Sequence, residues 1–311
     1  MKVLFMGTPE FAVASLSAVH EAGFDIVGVI SQPDKPKKRK MNLLPTPVKE
    51  YAVEHGLEVY QPESLKNEAI LPYLEKTAPD VIAVVAYGKL LPEYILNFPK
   101  FGCINIHASL LPAYRGAAPI HHALINGESV TGVTSMVMDR SMDTGGTLLK
   151  KEVEIKESDD FNSLYPLLAE EGGKLLVETL KALGDGQIKE VPQNDDEATY
   201  APMIERGIAK IDWGMDAKDI VNLVRGICAW PVAHSFLGEV RFRVHKAEVS
   251  EKSGLPGEVL DLSGGITVAA GRGAVKILQL QFDNKRKMTA DEYLAGNKLE
   301  AGMIIGGESV I

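Results

Sequence analysis

Cysteine is scarce in this 311-residue chain, and the two present, Cys103 and Cys228, offer neither a disulfide framework nor the spacing of a metal site. No apolar run approaches the roughly 20 residues of a membrane-spanning helix, so neither a metal nor a membrane is expected. The opening MKVLFMGTPEFAV is broken by Pro9 and Glu10 too early for a secretory leader. Glycines are missing where a dinucleotide fingerprint needs them. After the first apolar run the three positions hold Gly7, Pro9 and Ala12, which argues against a dehydrogenase. Ser109 lacks the G-x-S-x-G elbow of a nucleophilic serine. No internal repeat or low-complexity tract is present. What remains is the profile of a cytoplasmic globular protein, 45% hydrophobic and 24% charged.

A general excess of positive charge is also lacking, since the net charge is −9. Residues 206–311 are nearly neutral, with 14 Lys and Arg against 13 Asp and Glu, so the acidity lies in the preceding part. One segment there runs the other way. QPDKPKKRK, residues 32–40, carries Lys35, Lys37, Lys38, Arg39 and Lys40. Such a cluster binds a polyanion or is simply a solvated loop, and charge alone favours the loop.

The pattern along the chain predicts an open, doubly wound α/β fold followed by a small β domain. KVLFMG, FDIVGVIS, LEVYQP, DVIAVVAYG, FGCINIHAS and VTGVTSMVMD read as strands. TPEFAVASLSAVHEAG reads as a helix with Thr8 as its cap, and PTPVKEYAVEHG and APIHHALING read as further helices. Strands alternating with helices imply a mostly parallel Rossmann-like sheet. An acidic helical segment covers about 160–184, and residues 191–207, polar and aperiodic, read as a linker. Beyond it, AKDIVNLVRGI is a helix and RFRVHKAEV, GEVLDL, GITVAA and AVKILQLQF are closely spaced strands, as in a small barrel or sandwich. The expected division is 1–190, a linker at 191–207, and 208–311.

Within INIHASLLPAYRG, residues 104–116, Asn105 and His107 alternate with two isoleucines and therefore share one face of a strand. They stand near its carboxyl end, where open α/β sheets place their ligands. MDRSMDTGG, residues 138–146, follows the next strand and is expected at the same sheet edge, bringing Asp139 and Asp143. An amide and an imidazolium donate to a developing oxyanion, and a carboxylate keeps an imidazole charged. Together these residues point to acyl transfer without a covalent nucleophile. Cys103, on the same face as Asn105, reads as packing.

These stretches resemble the 10-formyltetrahydrofolate-dependent formyltransferases. INIHASLLPAYRGAAPI with MDTG downstream carries the resemblance, and MGTPEFA, QPDKP, LLPTPVK, AYGKLLP and IDWGMDAKDIVNLVRGICAWP extend it over nearly the whole chain. It implies a Rossmann-like catalytic domain and a carboxyl-terminal OB-like barrel. It implies Asn105, His107 and Asp143 as the catalytic trio. The formyl donor would lie against Ser109, Leu110, Leu111 and Pro112, against Lys89, Leu90 and Leu91, and against Asp139. The amine acceptor would be methionyl-initiator tRNA, gripped by the basic loop at Lys35, Lys37, Lys38, Arg39 and Lys40. A monomer without metal is implied as well. Members of the family that formylate sugar-nucleotide amines are the nearer rival reading; a non-catalytic RNA-binding protein is the rival of another class. Ser141, Gly146 and Met203 stand where the family more often has Gly, Asp and Lys.

Overall fold

The computed structural model describes residues 1–37 and 40–306. The strands are β1 (Lys2–Gly7), β2 (Asp25–Ile30), β3 (Lys35–Lys37), β4 (Lys40–Leu44), β5 (Val59–Tyr60), β6 (Val81–Val85), β7 (Cys103–His107), β8 (Val130–Val137), β9 (Thr147–Glu154), β10 (His234–Leu237), β11 (Val240–Ser250), β12 (Val259–Asp261), β13 (Ile266–Ala269), β14 (Ala274–Phe282) and β15 (Met288–Thr289). The helices are α1 (Glu10–Glu21), α2 (Pro47–Glu54), α3 (Leu71–Thr77), α4 (Glu93–Leu96), α5 (Pro119–Ile125), α6 (Phe161–Gly184), α7 (Ala217–Gly226) and α8 (Ala290–Gly296). The chain forms two compact units. One contains residues 1–117, 130–154 and 165–201; the other contains 118–129, 155–164 and 202–311.

The first unit is built on a seven-stranded sheet in the order β5-β2-β1-β6-β7-β8-β9. β5, β2, β1, β6 and β7 are parallel, as expected, while β8 and β9 are antiparallel additions. β6 is buried at every residue, as befits a central strand covered on both faces. On one face Leu4, Met6, Ile82, Val84 and Cys103 pack with Ile70, Leu74 and Ile95, from the α3 and α4 segments. On the other, α6 approaches closely at two glycines. A Cβ on Gly172 would come within 2.9 Å of Ile106, and one on Gly173 within 2.9 Å of the Ala14 carbonyl on α1. The alternation of β7 is thereby explained. Its isoleucines face α6, and Cys103, Asn105 and His107 take the opposite face.

Two details differ from expectation. Thr8 does not cap α1, whose N-cap is Pro9 without a side-chain hydrogen bond. Its hydroxyl instead donates to the Tyr87 carbonyl at 3.1 Å, tying the first turn to the loop after β6. The β3–β4 hairpin and β9 carry no clear pattern in the sequence, being short or strongly charged.

The second unit is an antiparallel sheet ordered β10-β11-β14-β13-β12, with β15 on β14. Residues 302–306 close it. Val259 donates to the Met303 carbonyl and Ile305 to the Gly257 carbonyl, both at 2.8 Å, on the β12 side. Gly306 donates to the Phe236 carbonyl of β10 at 2.8 Å. Both open edges are thus covered, which makes the sheet a small OB-like barrel. Val244, Val259, Ile277 and Leu280 fill it, with α7 contributing Ile220 and Val224 to the same core. Trp213 is buried there and donates its indole N–H to Ser235 Oγ at 2.9 Å.

Candidate active site

His107 is the last residue of β7 and is 7% exposed. Each of its ring nitrogens faces an oxygen. Nε2 lies 2.9 Å from the Tyr114 carbonyl, and Nδ1 lies 3.6 Å from Asp143 Oδ1. The first is a hydrogen bond and the second is too long to be one, so Nδ1 is the less committed side of the ring. Asp143 Oδ2 is fixed separately, accepting the Gly116 amide at 2.8 Å. Asn105 is half-buried two residues before His107, and its amide has no hydrogen-bond partner among the described residues. An uncommitted amide, an imidazole edge and a carboxylate oxygen are therefore gathered beside one strand end.

Asp143 does not reach this place by the expected route. β8 runs antiparallel to β7, pairing Val137 with Ile104 and Thr134 with His107. Its end therefore adjoins the start of β7, not the carboxyl edge. The intervening helix α5 looks like a crossover in the sequence, but the chain re-enters the sheet from the end at which it left. The 138–146 loop then folds back. Met138 donates to the Cys103 carbonyl at 2.8 Å, and Val137 to the Gly146 carbonyl at 2.9 Å. Asp139 caps the loop from inside, accepting from the Ser141 amide at 3.0 Å and from Thr144 Oγ1 at 2.8 Å. Gly145 is required here, because a Cβ would strike the Val137 carbonyl. Gly116, at φ 122, is likewise confined; a Cβ would lie 2.6 Å from the Ala201 carbonyl.

The turn after β7 is held by Thr134. Its hydroxyl donates to the Ser109 carbonyl at 2.6 Å and accepts the Leu111 amide at 3.1 Å. Ser109 Oγ donates to the Ala113 carbonyl at 2.6 Å, and Leu111 is fully buried. The peptide bond between Leu111 and Pro112 is cis. Of the residues expected against a formyl donor, Ser109, Leu111 and Leu91 are thus buried in the protein. Leu110 and Pro112 are half-buried, and Lys89, Leu90 and Asp139 are exposed. Lys89 donates to the Glu63 carbonyl at 3.2 Å. Cys103 is buried, which pushes its thiol up to about 12 and leaves it inert packing.

Of the basic segment, Lys35 is exposed at the start of β3. Lys37 and Lys40 lie in the paired strands β3 and β4. Lys38 and Arg39 lie outside the described residues. Among the described residues no group of three or more His, Cys, Asp or Glu side chains is arranged to hold a metal. No helix among them is long and apolar enough to cross a membrane.

Two side chains that shape the site have no signal in the sequence pattern. Arg115 is 3% exposed and donates from Nε and Nη2 to Gln193 Oε1 at 3.1 and 2.9 Å. Gln193 Nε2 in turn donates to the carbonyls of Asp143 and Gly145 at 2.8 and 2.6 Å. Gln193 sits in the stretch that reads as a linker, where a polar residue looks unremarkable.

A strand-end amide and imidazole with a facing carboxylate form an arrangement chemically suited to group transfer. Comparison with known proteins is specific: residues 1–180 match the formyl transferase family and residues 203–298 match the formyl transferase C-terminal domain. The chain belongs to the formyl transferase family. Curated relatives include methionyl-tRNA formyltransferases from Caldanaerobacter subterraneus subsp. tengcongensis, 47% identical over 98% of this chain and 100% of that protein, and from Clostridium perfringens, 46% identical over 98% and 100%. Among solved structures, an N-formyltransferase from Helicobacter canadensis in complex with folinic acid and dTDP-3-aminofucose covers 93% of this chain and 100% of its own, at TM-score 0.67 and 18% identity. HypX from Aquifex aeolicus in complex with tetrahydrofolic acid has TM-score 0.62 and 20% identity, covering 97% of this chain and 50% of its own. At these identities the structures share the fold.

Proposed function

We propose that this chain transfers the formyl group of 10-formyltetrahydrofolate to the free amino group of methionyl-initiator tRNA, giving N-formylmethionyl-tRNA. The observation that carries the reading is the grouping of Asn105, His107 and Asp143 in a chain matched along nearly its whole length by methionyl-tRNA formyltransferases. Residues 1–190 would form the catalytic part, 191–207 the linker and 208–311 the carboxyl-terminal part. The protein would act as a monomer in the cytoplasm, where charged initiator tRNA and folate are found.

In the reaction the amine nitrogen bonds to the formyl carbon, and the carbonyl electron pair moves onto its oxygen. The Asn105 amide and the Nδ1–H of a protonated His107 donate to that oxyanion. Asp143 Oδ1, which faces Nδ1, keeps the imidazolium paired and accepts the proton lost by the attacking amine. Collapse restores the carbonyl, breaks the bond to the folate nitrogen and delivers the proton there. Formyl and proton are thus exchanged between two nitrogens with no redox change. The donor would rest on the exposed Lys89 and Leu90, the half-buried Leu110 and Pro112 and the Asp139 loop, with the buried Ser109, Leu111 and Leu91 beneath them. Lys35, Lys37, Lys38, Arg39 and Lys40 would meet the tRNA phosphates.

The test is formyl transfer from 10-formyltetrahydrofolate to charged initiator Met-tRNA, beside uncharged tRNA, free methionine and charged elongator Met-tRNA. Transfer confined to the charged initiator is the expected result. Transfer to a sugar-nucleotide amine instead would overturn the acceptor while keeping the chemistry. No transfer to any amine would sink both.

A further inference from the structure

Residues 190–201 have no regular secondary structure apart from one short 3-10 turn, yet they are pinned along their length to the two segments that frame His107. Val191 and Thr147 exchange amide hydrogen bonds at 2.8 and 2.9 Å. The Gly146 amide donates to Glu190 Oε1 at 2.9 Å. Arg115 donates its backbone amide to the Thr199 carbonyl and accepts that of Ala201, both at 2.8 Å. Tyr114 donates its amide to Thr199 Oγ1 at 2.8 Å. At the centre lies Gln193. Arg115 only donates and the two loop carbonyls only accept, so the orientation of the Gln193 amide is unambiguous. It joins a buried arginine to both carbonyls of the tightest part of the Asp143 loop.

Asp143 itself has φ 58, a left-handed conformation costly for a non-glycine residue. Such a conformation persists where neighbours over-determine it. Here two contacts do so: Gly116 holds the carboxylate and Gln193 holds the backbone carbonyl. We propose that Gln193 is a positioning residue for the reaction, setting the distance between Asp143 and His107 through its hold on the 143–145 backbone. The inference rests on the catalytic reading of Asp143 given above.

Gln193→Glu isolates the effect. The carboxylate keeps the length of the side chain and its pairing with Arg115, but cannot donate to the two carbonyls. Measured on the full chain with 10-formyltetrahydrofolate and charged initiator Met-tRNA, kcat is expected to fall by about 10- to 100-fold, the scale of a misplacement near 1 Å. Both KM values should stay within about threefold and the melting temperature should be little changed. Added to Asp143→Asn, the same substitution should cost little more, because both act on one group. Wild-type kcat in Gln193→Glu would overturn the proposal, as would a full multiplicative loss on top of Asp143→Asn. If Gln193→Glu does not fold, Gln193→Met is run through the same comparison with the same criteria. Should Asp143→Asn itself turn over normally, the catalytic reading fails and this proposal fails with it; a crippled Asp143→Asn beside an additive Gln193→Glu sinks this proposal alone.

Discussion

Asp143 Oδ2 accepts the Gly116 amide at 2.8 Å, and this leaves Oδ1 alone to face His107. One carboxylate oxygen is anchored to the backbone while the other is left facing the imidazole. Asp143→Asn preserves the shape and an acceptor for Gly116 but loses the charge and the base. We expect kcat to drop by roughly 100- to 1,000-fold with the fold intact, and losses of the same order for Asn105→Ala and His107→Ala. Single-turnover formyl transfer with circular dichroism checks this; near-native turnover in any of the three variants would remove that residue from the assigned site.

Gly145→Ala tests the packing of the loop on β8. The added Cβ would run into the Val137 carbonyl, so the loop must shift. A backbone clash of this kind costs on the order of 1–3 kcal/mol. Activity should suffer more than stability, by at least about tenfold, because Asp143 moves with the loop. An alanine variant with normal kcat would show that the loop position is not critical.

Thr134→Val removes a hydroxyl that serves two backbone groups of the turn after His107. Thr134 is fully buried, so the Ser109 carbonyl and the Leu111 amide would be left without water to replace it. The expected cost is about 1–3 kcal/mol in urea unfolding. A smaller change would mean that the turn finds another partner.

His121, on α5, stacks on Phe161 at 4.0 Å, and burial together with its neighbour His122 lowers its pKa from 6.5 to about 4. The folded state therefore holds the neutral ring. Above pH 6.5 both folded and unfolded states are neutral and its contribution is fully present. As pH falls from there towards about 4, the unfolded chain takes up the proton first and stability is lost, by about 1.4 kcal/mol per pH unit at most. In urea titrations between pH 7 and 4.5, His121→Gln should lose stability less steeply than the wild type. Parallel slopes would assign the pH dependence to other groups.

How much of this was legible in advance differs from residue to residue. Asn105 and His107 were readable because side chains two apart on a strand must share a face, whatever the fold around them. That this face is the one away from α6 was decided by the fold. Thr46, also followed by a proline, does cap its helix: it heads α2 with its hydroxyl accepting the Lys49 amide at 3.2 Å. Thr8 has the same appearance in sequence, but its hydroxyl is taken by Tyr87, 79 residues away. Local propensity gives no warning of such a partner.

The expectation that Asp143 would come beside His107 rested on an incorrect premise, although the two do meet. A helix between two strands suggests a parallel crossover, yet β8 returns antiparallel. The aspartate arrives because its loop doubles back, and nothing in the order of residues specifies that. Arg115 and Gln193 were harder still. They meet across distant segments, and the pairing of two polar side chains far apart in sequence leaves no period.

The sequence by itself determined the alternation that sets an amide and an imidazole on one strand face, the parallel heart of the sheet and the small strands of the barrel. Those properties follow from side-chain period and residue type, which are local. The tertiary structure alone decided the direction of β8, the closure of the barrel by residues 302–306 and the strap that joins Arg115, Gln193 and Asp143. Each depends on which remote backbone group meets a donor or acceptor, and that pairing exists only once the chain is folded.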